Sequence, residues 1–154
     1  MEILIRHAQA ADIPEVREML REYVEWIDLD LAFQEIETEL AELPGDYSPP
    51  EGVLLVVPEG HRLLATIALR PYDGTVCEMK RLFVRPEARG RGLAKQLIAR
   101  LLDEARRIGY TEIRLDTLPM MADAQTLYAN LGFVDIAPYY DTPIAGTRFM
   151  AKRL

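Results

Sequence analysis

Residues 85–95 read RPEARGRGLAK, which sets Arg85, Arg89 and Arg91 around Gly90 and Gly92 at the mouth of an apolar-periodic run. A glycine-rich strand-to-helix loop leaves main-chain N–H groups unpaired, and the first helical turn adds free amides and its dipole. Gly90 and Gly92 let a bulky anion approach the backbone. The guanidinium groups suit phosphate oxygens. The chemistry expected here is capture of a phosphate or pyrophosphate. Two familiar cradles do not fit. No G-x-x-x-x-G-K-[ST] run occurs, and position 95 is Lys where a G-x-G-x-x-G fingerprint needs its third glycine. Just upstream, TVCEMKRLFV (75–84) puts Glu78, Lys80, Leu82 and Val84 on one face by strand alternation. Cys77 falls on the opposite face, as a core residue would. His7 and His61 are far apart and lack ligand spacing, so no metal site is expected.

The elements that must hold these groups follow from periodicity and turn chemistry. Residues 2–6 lean apolar with alternation and predict a short first strand. Asp12, Pro14 and Glu15 signal a helix start, followed by Val16, Met19, Leu20, Tyr23, Val24 and Ile27 at helical spacing. Trp26 is expected to pack this helix. A second helical pattern uses Leu31, Phe33, Ile36, Leu40 and Leu43, and residues 43–52 form a Pro- and Gly-rich loop. Strands at 53–57, 62–72 and 75–84, the last two joined by Asp73-Gly74, predict an antiparallel meander. A helix beginning at Arg91 and ending before Gly109 comes next. Then follow a strand at 111–118, a short helix at 122–131 and strands at 133–137 and 148–154. The predicted order is β-α-α-β-β-β-α-β-α-β-β.

Composition bounds the function. The chain has 154 residues, 49% of them hydrophobic, as expected of one globular domain spanning 1–154. Its net charge of −7 argues against nucleic acid as partner and favours cationic substrates. The acidic run 35–46 reads most simply as a solvated helix face that could also steer cations. One cysteine excludes an internal disulfide and suits a reducing compartment, which predicts a cytoplasmic location. MEILIRHAQA lacks a basic n-region and an apolar core, so no signal peptide is expected. No apolar run reaches the roughly 20 residues that span a bilayer, so no membrane partner is expected.

Two motifs carry a resemblance. Arg89-Gly90-Arg91-Gly92-Leu93-Ala94 is similar to the [Q/R]-x-x-G-x-[G/A] signature of the GCN5-related N-acetyltransferase (GNAT) superfamily. Ala124-Gln125-Thr126-Leu127-Tyr128-Ala129-Asn130-Leu131-Gly132-Phe133 resembles its A-x-x-L-Y-x-x-L-G-F element. The element order agrees over nearly the whole chain. The resemblance implies an α/β (α+β) GNAT fold with a mixed, mostly antiparallel sheet of about seven strands. It implies acetyl-CoA as cofactor and transfer of its acetyl group to a primary amine by direct attack. Coenzyme A would lie on Leu82, Phe83 and Val84 through its pantetheine arm and on Arg89, Gly90, Arg91, Gly92, Leu93, Ala94 and Lys95 through its diphosphate. The Leu82 N–H would face the thioester oxygen. Tyr128 would act as general acid toward the leaving thiolate.

The base is open between Glu78, Asp116 and water alone, since some amines arrive partly neutral. The commonest family position for a glutamate is occupied here by Lys80, Glu78 is one pleat back, and Asp116 stands where other members carry a catalytic glutamate. The plain alternative for Glu78 is an ion pair with Lys80 or Arg81. Met121 stands where the family often has an asparagine that contacts pantetheine. Lys80, with Tyr139 and Tyr140 from the tail loop and Phe33 from the second helix, predicts a pocket for a small amine that bears an acid group, such as an amino acid. Homodimers are common in the family. The competing readings are a non-catalytic acyl-CoA sensor and a protein or peptide N-acetyltransferase.

Overall fold

The computed structural model describes residues 3–28 and 35–154. Its elements are β1 (Arg6–His7), α1 (Ile13–Ile27), α2 (Ile36–Glu42), β2 (Val53–Glu59), β3 (Arg62–Asp73), β4 (Val76–Val84), α3 (Leu93–Ile108), β5 (Glu112–Thr117), α4 (Ala122–Asn130), β6 (Val134–Ile136) and β7 (Arg148–Arg153). The order is the one expected from the sequence. The strands form one seven-stranded sheet ordered β1-β2-β3-β4-β5-β7-β6. Every neighbouring pair is antiparallel except β4 and β5. A parallel pair needs a long crossover, and α3 supplies it.

The continuous apolar run of β2 is explained by cover on both faces. Val53, Leu55 and Val57 join a core with Leu97, Ile98 and Leu101 of α3. Leu54 and Val56 join a second core with Val16, Met19 and Leu20 of α1 and Leu40 of α2. Each fully buried leucine or isoleucine contributes about 1.5–3 kcal/mol, so the two cores fix the sheet that carries the site.

Local departures from expectation have identifiable causes. The first strand is Arg6–His7, paired with Val56 and Leu55, and just before it the Ile5 carbonyl accepts from Arg100 Nη1 (3.1 Å). Asp12 precedes α1, but its carboxylate accepts from Arg6 (2.6 and 3.0 Å) and from the Gln9 N–H (2.7 Å) rather than capping the helix. Helix α3 begins at Leu93, two residues later than expected, because Gly90 (φ +82°) and Gly92 (φ +75°) are both left-handed. Leu31 and Phe33 lie outside the described residues.

The most consequential departure is in β4. Ala68 of β3 pairs with Lys80, yet Thr66 pairs with Phe83, so β4 holds one extra residue between them. That bulge contains Arg81, whose φ of +60° is left-handed. The bulge flips the pleat. Glu78 and Lys80 stay on the α1/α2 side, whereas Leu82 and Val84 turn toward the α3 core. The common face expected for these four residues is therefore broken after Lys80.

Candidate active site

Strands β4 and β5 pair only along Val76–Glu78 and Glu112–Arg114. Beyond this they diverge, and Leu115–Thr117 pair with β7 alone. The divergence opens a cleft across the sheet, and three spaces along it share lining residues.

The first is a groove of about 570 Å³ between β4, the start of α3 and α4. Leu82, Phe83, Val84, Arg89, Gly90, Gly92, Leu93, Ala94 and Lys95 line it, as the sequence suggested. A Cβ placed on Gly90 or Gly92 would meet nothing within 4 Å, so their backbone faces open space. Left-handed glycines and free α3 amides beside an open groove fit a diphosphate with a pantetheine arm. Arg91 departs from the list, since its guanidinium turns to Glu59 (3.0 Å). Both partners are about half exposed, so the pair is worth at most ~1 kcal/mol. Arg85 is not part of the cradle at all. It is 3% exposed and clasps Glu15 (2.7 Å), Glu22 (2.9 Å) and the Leu63 carbonyl (2.8 Å).

Trp26 does not pack against the helix as expected. It is 48% exposed, lines the groove, and carries the Arg89 guanidinium 5.4 Å from its ring centre. Trp26 follows Met19 by seven residues and Tyr23 by three, at the edge of the apolar stripe, so helical spacing alone does not place it outside the core. Met121 lines the groove and offers no amide there; the Thr117 hydroxyl contacts its sulfur at 3.8 Å.

The second space is a narrow chamber between the parted strands, lined by Tyr23, Lys80, Arg81, Leu82, Asp116 and Tyr128 among others. Tyr128 lines this chamber and the groove, with its ring 5.7 Å from that of Phe133. Burial pushes the Tyr128 hydroxyl well above its ordinary pKa, and Tyr23 and Asp116 add to the effect. It therefore keeps its proton at neutral pH. The Cys77 thiol is also pushed up by burial, to about 12, so it is no nucleophile.

A polar network separates the second space from the third. Lys80 Nζ lies 3.2 Å from Asp116 Oδ1 and 3.9 Å from Glu78 Oε2. Tyr140 donates to Asp116 Oδ2 and Tyr139 to Glu78 Oε2, each at 2.6 Å. Arg70 holds Glu78 Oε1 at 2.9 Å. Burial works against ionisation of Asp116, but Lys80 and the Tyr140 hydroxyl outweigh it and hold the carboxyl below its usual range. Burial and the facing carboxylates push both tyrosine hydroxyls up, so they remain donors. Arg81 grips Glu39 through two bonds (2.8 and 3.0 Å). Burial opposes the Glu39 carboxylate, and Arg81 overrides it and lowers its pKa.

The third space, about 390 Å³, is lined by Arg70, Tyr72, Glu78, Lys80, Tyr139 and Tyr140 among others. Tyr139 and Tyr140 both line this space, each with its ring 5.1 Å from Phe149. Lys80 pairs with Asp116 at 3.2 Å and lies 3.9 Å from Glu78, so its charge is already matched. Arg70 and Tyr72 were missed; the β3–β4 register that sets Arg70 opposite Glu78 is visible only in the fold. Arg148, at the end of the tail loop, does not line this space and pairs with Asp135 (2.9 Å). Among the described residues no three His, Cys, Asp or Glu side chains could hold a metal ion. No helix among them is long and apolar enough to cross a membrane.

A mixed sheet parted between two parallel strands, with a glycine cradle and a buried tyrosine at the parting, is the frame of an acyltransferase. The profile of the acetyltransferase (GNAT) family matches residues 13–133, and the chain belongs to that family. An uncharacterized N-acetyltransferase of Schizosaccharomyces pombe is 37% identical over 141 residues, covering 90% of this chain and 86% of the relative. A GNAT-family acetyltransferase of Staphylococcus aureus superposes with a TM-score of 0.82 at 21% identity, covering 99% of both chains. A phosphinothricin acetyltransferase of Sinorhizobium meliloti, solved with acetyl-CoA, superposes at 0.73 with 18% identity, covering 100% of this chain and 89% of that one.

Proposed function

We propose that residues 1–154 act as one acyl-CoA N-acyltransferase domain that moves an acetyl group from acetyl-CoA to a primary amine of a small, amino-acid-like molecule. The observation that carries this reading is the parting of β4 from β5, which brings the Gly90–Gly92 cradle, Tyr128 and Asp116 to one cleft. The bound donor supplies an activated acyl group as a thioester. The α3 amides and the Gly90–Gly92 backbone hold its diphosphate, and Leu82 presents its N–H toward the thioester oxygen. Tyr128 hands its proton to the departing sulfur. Asp116, ionised and at the chamber wall, accepts the amine proton directly or through a water. Glu78 orients Lys80, Arg70 and Tyr139 around it.

The walls also favour a small acceptor. The tail loop is tied down by two tyrosine–carboxylate bonds and leaves a pocket rather than an open peptide groove. A homodimer is compatible with this reading. The buried single cysteine and the charge of −7 suit the cytoplasm.

Release of free CoA thiol from acetyl-CoA across a panel of amines, amino acids and peptides tests the reading. Turnover with small amines and none with peptides is the expected result. Tight CoA binding without turnover on any acceptor would instead identify a sensor.

A further inference from the structure

An N-acetyltransferase acts on an amine, and this cleft already contains one. Lys80 is 7% exposed, yet it lines both the chamber between the parted strands and the acceptor pocket. Its Nζ lies 3.2 Å from Asp116 Oδ1 and 3.9 Å from Glu78 Oε2, the carboxylates that an incoming ammonium would meet. Leu82 and Tyr128, assigned above to the thioester oxygen and the leaving sulfur, line the same chamber.

A buried lysine beside a carboxylate is most often a fixed charge and nothing more. Two features set Lys80 apart. Its ion-pair partner is the residue placed to take a proton from an amine, and its flexible four-carbon stem lets Nζ move within the cleft. The chain has three lysines. Lys95 is exposed in the donor groove and Lys152 is half-buried on β7, and neither lines the chamber. Lys80 is therefore the lysine least open to solution and the one set beside the acyl-transfer groups.

We propose that Lys80 is itself an acyl acceptor: with acetyl-CoA bound and no amine substrate in the cleft, the domain acetylates its own Lys80 and shuts itself off. Nζ begins as an ammonium with three protons and ends as an amide with one. The first proton goes to Asp116, and the electron pair left on nitrogen forms the N–C bond to the acetyl carbon. The C–S bond breaks, its electron pair leaves on sulfur, and Tyr128 gives the sulfur a proton. The second nitrogen proton replaces the one Tyr128 gave, and Asp116 returns its proton to water. The products are a neutral amide and free CoA thiol. The acetylated side chain has lost its charge, fills the way between pocket and chamber, and leaves Asp116 without its counter-charge. This inference rests on the N-acetyltransferase reading and adds a modification site to it.

Incubation of the protein with acetyl-CoA alone, followed by peptide mass mapping, counts acetyl groups at each lysine. Lys80 should fill toward one acetyl group per chain while Lys95 stays bare. Tyr128→Phe should slow this by about 10²-fold or more. An amine that is turned over, supplied in excess, should suppress it by occupying the same cleft, and this competition needs no variant to fold. CoA release on that amine should fade during preincubation of the wild type and not of Lys80→Arg, whatever rate each starts from. A bare Lys80 in protein that turns over an amine overturns the inference and leaves the transferase reading standing. Equal acetylation of Lys80 and Lys95, or a Lys80 rate that neither the amine nor Tyr128→Phe changes, also overturns it, as the mark of uncatalysed reaction from solution. If no amine releases CoA, the transferase reading falls by itself, and the map still decides: acetyl confined to Lys80 upholds the inference, and a bare Lys80 overturns it.

Discussion

On the donor side of the cleft, recognition is carried by main chain and apolar wall: two left-handed glycines, the free amides of α3, and the groove faces of Leu82, Val84 and Leu127. On the acceptor side it is carried by charged and hydroxyl side chains drawn from β3, β4, β5 and the tail loop, already bonded to one another. A main-chain site tolerates changes in side chains but not in backbone conformation. A side-chain network has the reverse sensitivity, because each member leaves a buried partner behind when it is removed. The two halves should therefore fail in different ways.

The largest effect expected is at their junction. Tyr128→Phe should lower kcat by about 10²–10⁴-fold with CoA affinity retained. The sole tryptophan, Trp26, stands in the donor groove and reports that affinity by its fluorescence. Loss of CoA binding in this variant would move Tyr128 to the donor half and break the comparison. Asp116→Asn should lower kcat by about 10²-fold and also loosen the tail loop, since buried Lys80 loses its counter-charge. Hydrogen exchange at residues 137–147 reads the second effect. Gly92→Val should act on the opposite half. A branched residue held at φ +75° costs about 1–3 kcal/mol, which is about 5- to 150-fold in CoA affinity. Exchange in the tail loop should stay at its wild-type rate. Tyr139→Phe removes one bond to Glu78 and should cost about 1 kcal/mol of stability, measured by urea unfolding.

Acid should also divide the halves. The Asp116 and Glu39 pKa values are lowered by folding, so their stabilisation is fully present above the unfolded value near 4. It is lost as pH falls through the lower folded values. The acceptor half should loosen first on acidification, as the tail-loop resonances would show. Above that range Asp116 stays ionised, so the rise of kcat/KM with pH should follow deprotonation of the amine. A rise governed by a group shared across all amines would remove Asp116 as the acceptor of the proton.

The same contrast explains what could be read from the chain. The donor half was legible because backbone requirements leave fixed residue types at fixed spacing. Arg89 through Ala94 announced the cradle, and Ala124 through Phe133 announced the helix that carries Tyr128. The element order and the two-sided β2 were legible for a similar reason, since burial sets periodicity. The acceptor half depends on register between distant strands, which no local pattern encodes. Arg70 meets Glu78 only because β3 and β4 pair as they do. The bulge at Arg81 was hidden because a left-handed arginine has no glycine to signal it. Arg85 was misread as a phosphate ligand, although Glu15 and Glu22, seven residues apart on α1, lie on the helix face that receives it.

The bulge in β4 has a consequence for how this enzyme can change. A regular strand keeps one bearing for its whole length, whereas a surplus residue lets it bend at one point. One surplus residue lets a single segment address two ligands in succession, first by charge and then by shape. Selection can therefore exchange Glu78 or Lys80 for a new acceptor without disturbing the residues that seat the common donor. Excising Arg81 would remove the kink but not the faces: alternation resuming from Lys80 keeps Leu82 and Val84 toward the α3 core and Phe83 on the α1 side.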